Sequence, residues 1–143
     1  MPDASPTDRR VLIVDDEQSV IEVLLEFFRQ FDHGYRYVVE TALSGADGYR
    51  AFLRQRPDLV LLDMNMPGMD GLQLLKQIRA LDGSVPVMMV TANQSTRSAA
   101  EAHTTGIFAY VPKPFDFRHL DLLVGLVPPP KRPGGSTGGV RQR

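Results

Sequence analysis

Short apolar runs that each stop on a polar, chemically useful side chain constrain this chain more than any other feature. Val11-Leu12-Ile13-Val14 runs into Asp15-Asp16, and Leu59-Val60-Leu61-Leu62 runs into Asp63. An unbroken apolar run of this length is the pattern of a strand buried on both faces of a parallel sheet. In an open α/β sheet the carboxyl ends of the strands border the ligand crevice, so all three carboxylates are delivered to one place. Three acids so close repel one another unless a hard cation joins them, which points to a magnesium site. Two further runs end alike: Val85 to Val90 stops at Thr91, and Ala109-Tyr110-Val111 leads through Pro112 to Lys113. A hydroxyl and an ammonium thereby join the acids.

Helical stripes lie between these runs. The spacing predicts a helix over 18–30 that buries Ile21, Leu24, Leu25 and Phe28, then a strand over 35–41. A second helix opens with Ser44 and Asp47 in capping-box spacing and is expected to bury Tyr49, Phe52 and Leu53. A third, capped by Asp70, offers Leu74, Leu75, Ile78 and Leu81. The fourth, over 95–105, has only Ala99, Ala100 and Ala102 to bury, so its anchoring is weak and it can shift cheaply. The fifth, from Asp116, presents Leu120, Leu123, Val124 and Val127, with Leu122 and Leu126 off to one side. Strand and helix alternate with short connections, which predicts an α/β fold of three αβα layers around a parallel sheet.

The 143 residues are 43% hydrophobic and 23% charged, enough for one compact domain with its own core. The absence of cysteine excludes disulfides and thiolate chemistry, leaving oxygen and nitrogen ligands. No run approaches the roughly 18 apolar residues of a membrane span, so the chain is expected to be soluble and cytoplasmic, without membrane insertion. Residues 128–143 are half Pro and Gly and carry Lys131, Arg132, Arg141 and Arg143 with no acid. Those four cations leave −5 on residues 1–127, against −1 for the whole chain. An acidic body is poorly matched to nucleic acid, so no direct nucleic-acid binding by the domain is expected. The expected division is a disordered stretch over 1–8, a domain over 9–127 and a disordered basic tail or linker over 128–143.

In order along the chain stand Asp15-Asp16, Asp63, Met66-Pro67-Gly68-Met69-Asp70-Gly71, Thr91-Ala92, Gly106, Tyr110 and Lys113-Pro114-Phe115. Together they resemble the receiver domain of two-component response regulators over about residues 9–127. Taken singly, Asp70 reads as a helix cap, Tyr110 as a packed edge aromatic and Lys113 as a solvated lysine; their joint order overrides the last two readings. The resemblance implies a flavodoxin-like sheet in the order 2-1-3-4-5. It implies a phosphoacceptor at Asp63, assisted by Lys113 and Thr91, with Mg²⁺ held by Asp15, Asp16, Asp63 and the backbone carbonyl of Asn65. Thr91 and Tyr110 would form the switch. Asn65 and Asn93 would tune the lifetime of the aspartyl phosphate, and Lys113-Pro114 would be cis.

The partners so implied are a histidine kinase or phosphotransfer protein, an unidentified downstream protein that reads the fourth helix, fifth strand and fifth helix, and a phosphorylation-dependent homodimer. The chain is not expected to be an enzyme beyond promoting its own phosphorylation and dephosphorylation. A stand-alone regulator is the favoured reading, and the alternative is the receiver module of a larger protein with a DNA-binding or enzymatic output. A flavodoxin-like enzyme is opposed by the lack of a phosphate loop after the first strand, and a small phosphatase by Asn65 standing where a second acid is wanted. His33, His103 and His119 lack metal-ligand spacing, and the methionines read as packing.

Overall fold

A computed structural model describes residues 7–92 and 95–130. Its elements run β1 (Thr7–Val14), α1 (Gln18–Gln30), β2 (Tyr35–Ala42), α2 (Gly45–Arg54), β3 (Leu59–Leu62), α3 (Gly71–Leu81), β4 (Val87–Thr91), α4 (Thr96–Thr105), β5 (Ala109–Pro112) and α5 (Phe117–Gly125). The five strands are parallel and ordered β2-β1-β3-β4-β5, the expected topology.

Side-chain alternation along the strands splits the core into two halves. Leu12, Val14, Val60, Leu62, Val87 and Met89 pack under α2 and α3 with Phe52, Leu74, Leu75 and Ile78. Val11, Ile13, Leu59, Leu61, Met88 and Val90 face α1 and α5, meeting Ile21, Leu24, Phe27, Leu120 and Val124. Every residue of β3 is buried, which fixes its last neighbour, Asp63, at the middle of the sheet's carboxyl edge. Pro112 lies on β5, an edge strand, where its missing N–H breaks no interior ladder.

Two expected core leucines are exposed: Leu53 at 48% and Leu81 at 40%. In α2 the buried stripe passes instead through Gly45, Gly48, Ala51 and Phe52. A Cβ at position 48 would stand 2.8 Å from a Val14 methyl, so the bare glycine lets α2 rest on β1 and turns Leu53 outward. Leu81 ends α3, past the turn that covers the sheet. In α4 only Ala102 is fully buried. That helix is tied to α3 by the exposed Lys76–Glu101 pair and to Arg79 through the Gly106 carbonyl, contacts worth about 1 kcal/mol each or less.

Both expected domain boundaries move outward. β1 starts at Thr7, with Thr7 and Asp8 aligned against Tyr35 and Arg36, and the Arg36 guanidinium forks onto the Asp8 carboxylate. Beyond α5, Arg9 donates to the Pro128 carbonyl at 2.8 Å while its guanidinium lies 4.0 Å over the Tyr35 ring. The buried guanidinium thus ties the segment that follows α5 back to β1. The remaining residues of both expected disordered stretches, 1–6 and 131–143, lie outside the described residues, as does Asn93.

Candidate functional site

Asp15 follows β1 and Asp63 follows β3, and the Asp63 N–H donates to the Val14 carbonyl at 2.9 Å. Neighbouring parallel strands thus set the two carboxylates side by side, both buried, with exposed Asp16 at the rim. Carboxylate oxygens of Asp15, Asp16 and Asp63 lie within 4.8 Å of one another. Asp15 accepts from the Glu17 N–H at 2.9 Å, and Asp63 accepts from the Asn65 N–H at 3.2 Å. The chain can turn so closely after Asp63 because Gly71 packs against it: a Cβ there would stand 2.1 Å from the Asp63 carbonyl oxygen.

Lys113 arrives from beyond β5, its backbone N–H held by the Thr91 carbonyl at 2.9 Å and its peptide bond to Pro114 cis. Its ammonium lies 2.8 Å from Asp15, 3.4 Å from Asp63 and 3.4 Å from Glu17. Burial works against that charge, but the hydrogen bond to Asp15 and the charges of Asp15 and Asp63 outweigh it and hold the ammonium above its ordinary pKa. Burial pushes the Asp15 carboxyl up, and the nearby Asp63 charge adds to it, against the pull of Lys113 and the Glu17 N–H. Among the described residues the Lys113 ammonium thus meets three carboxylates, those of Asp15, Asp63 and Glu17, with Asp16 beside them. An oxygen-only donor set with surplus negative charge fits a hard divalent cation.

Thr91 ends β4, fully buried, and Tyr110 lies half-buried on the neighbouring β5, where it pairs with Met89. The Tyr110 phenol is raised by burial and, next, by the Asp63 charge, which puts it within electrostatic reach of that carboxylate. Its ring stacks on His103 of α4 at 6.4 Å. The structure thus gathers Asp15, Asp16, Asp63, Asn65, Thr91 and Lys113 at one edge of the sheet, with Tyr110 just behind. Sequence reasoning missed Glu17; its position next to the acidic pair was the available signal. His33 proves to be a structural tie, bonded to Asp121 at 2.7 Å and to the Tyr37 hydroxyl at 2.7 Å.

A parallel 2-1-3-4-5 sheet with acids, a hydroxyl and an ammonium at its carboxyl edge defines a receiver. Residues 11–124 match the family described as response regulator receiver domain, and the chain belongs to that family. It is 39% identical over 115 residues to regulatory protein AtoC of Escherichia coli K12, which covers 80% of this chain and 24% of that protein. To the DNA-binding transcriptional regulator NtrC of the same organism it is 39% identical over 117 residues, covering 82% of this chain and 24% of that protein. The chain thus spans about a quarter of the length of these curated relatives. Among solved structures, chemotaxis protein CheY4 of Vibrio cholerae aligns with a TM-score of 0.74 and 28% identity, covering 85% of this chain and 99% of that one. CheY in the CheX-CheY-BeF3-Mg+2 complex of Borrelia burgdorferi aligns with a TM-score of 0.73 and 27% identity, covering 81% and 86%. Among the described residues, no helix is long and apolar enough to cross a membrane.

Proposed function

We propose that this receiver is a phosphoacceptor switch in which Asp63 takes a phosphoryl group from the phosphohistidine of a kinase or phosphotransfer protein. One observation carries the reading: a buried strand-end carboxylate, Asp63, has an ammonium 3.4 Å away and two more carboxylates beside it. A carboxylate oxygen of Asp63 forms the new P–O bond as the phosphorus–nitrogen bond of the donor breaks and the imidazole departs. Lys113 meets the incoming negative charge as a mobile cation. Asp15, Asp16, Asp63 and the Asn65 carbonyl would hold Mg²⁺, which would supply neutralisation of the negative charge gathered there.

The added charge, about −1.5 to −2 at neutral pH, is answered by the Thr91 hydroxyl, and Tyr110 follows as the space beside Thr91 changes. The lightly anchored α4, together with β5 and α5, is the output surface. It exposes Phe108 and the two leucines expected off the α5 stripe, Leu122 and Leu126, to a downstream protein or a second copy. Neither Asn65 nor Asn93 supplies an acid or base to the attacking water, so the phosphoryl lifetime is set without active catalysis at those positions. Adding beryllofluoride with Mg²⁺ tests the coupling: amide shifts are expected across 91–127, and shifts confined to the surroundings of Asp63 would overturn it.

A second reading is favoured by the relatives' greater length and by NtrC being a DNA-binding transcriptional regulator. In that reading the same switch governs an output domain joined to it, rather than acting as a stand-alone regulator. A receiver–output polypeptide whose output changes with Asp63 phosphorylation would support it, and indifference of the output would contradict it.

A further inference from the structure

We propose that Glu17 holds Lys113 in its resting position and thereby slows phosphorylation of Asp63, an inference that rests on the phosphoacceptor reading. Glu17 is the N-cap of α1, yet its side chain makes no capping bond. Ser44, Asp70, Ser95 and Asp116 all cap their helices through their side chains. Glutamate is outside the set of good N-cap residues, and here its carboxylate reaches across to Lys113 instead, at 3.4 Å.

An ammonium has three protons, and that of Lys113 faces three carboxylates. They differ in how freely they can let go. The Asp15 and Asp63 side chains are 2% and 5% exposed, whereas that of Glu17 is 60% exposed. Turning a buried carboxylate away from its cation strands a charge, while Glu17 can turn into water. Glu17 is therefore the partner that yields when the ammonium moves onto phosphoryl oxygens, and until it yields it competes with them.

The test uses acetyl phosphate and Mg²⁺ with the full chain, comparing the wild type with Glu17→Gln and Glu17→Asp. A carboxylate oxygen of Asp63 bonds to phosphorus as the bond to acetate breaks, and acetate leaves with the electron pair. Gln removes the charge; Asp keeps it but is one methylene too short to reach Lys113 and can cap α1 itself. Both variants are expected to react about threefold faster, the scale of one exposed ion pair, and to bind beryllofluoride correspondingly more tightly by ¹⁹F NMR. Equal rates for Glu17→Gln and wild type would overturn the proposal. So would a fast Glu17→Gln without a fast Glu17→Asp, since general repulsion of the anion would then explain the gain. Absence of any adduct on the wild type would instead overturn the phosphoacceptor reading, and this role with it.

Discussion

The Lys113 ammonium rests closer to Asp15 than to Asp63: 2.8 Å separates it from the first and 3.4 Å from the second. Asp15 is almost wholly buried, so Lys113 is what makes its charge tolerable. Breaking a buried pair from one side costs about 3–5 kcal/mol, because the remaining charge is stranded. Lys113→Met is expected to lower stability on that scale in metal-free buffer, and the Lys113→Met/Asp15→Asn double variant to regain most of the loss. Urea unfolding measures both; equal stability of Lys113→Met and wild type would deny the pair.

Tyr110 is linked to Asp63 by charge. Burial and the Asp63 carboxylate both raise its phenol. Asp63→Asn removes the second cause and leaves the first, so Tyr110 should titrate at a lower pH in that variant, though still above an ordinary tyrosine. Following the ring carbons by NMR across the alkaline range decides it, and an unchanged titration would break the link.

Gly71 controls where Asp63 sits. Its missing Cβ would overlap the Asp63 carbonyl at 2.1 Å, and that neighbour is backbone, which cannot rotate away. Gly71→Ala is expected to cost about 1–3 kcal/mol through overpacking and to displace Asp63. Chemical denaturation reads the first effect and loss of beryllofluoride binding the second.

Asp82, at the end of α3, gives a pH dependence far from the site. Burial alone would raise its carboxyl, but hydrogen bonds from the Ser84 N–H and hydroxyl and from the Val85 N–H outweigh that and lower it. The unfolded chain therefore binds its proton more readily, so this contribution is present above the ordinary carboxylate pKa and is lost as acid takes the pH below it. Asp82→Ala should cost about 1 kcal/mol at neutral pH, with the gap to wild type closing as acid protonates the folded carboxylate. A gap that stays constant into acid would contradict the assignment.

Much of this was legible because it depends on local pattern. The predicted helix over 18–30 coincides with α1, and the caps at Ser44, Asp70, Ser95 and Asp116 sit where capping chemistry puts them. Strand ends delivered Asp15, Asp63, Thr91 and Lys113 to one edge because parallel topology leaves them no other place. Leu53 was misread because periodicity counts apolar side chains, while α2 docks through Gly48, a residue with none. Glu17 and Arg9 were missed for a related reason. Each looks like a surface charge in sequence, and its partner, Lys113 or the Pro128 carbonyl, is about a hundred residues away.

The central claim is that Asp63 is a phosphoacceptor, and intact mass after incubation with acetyl phosphate tests it most directly. The wild type is expected to gain one phosphoryl group, only with Mg²⁺ present, and Asp63→Ala to gain none. An adduct that persists in Asp63→Ala, or no adduct with any donor, would contradict the account.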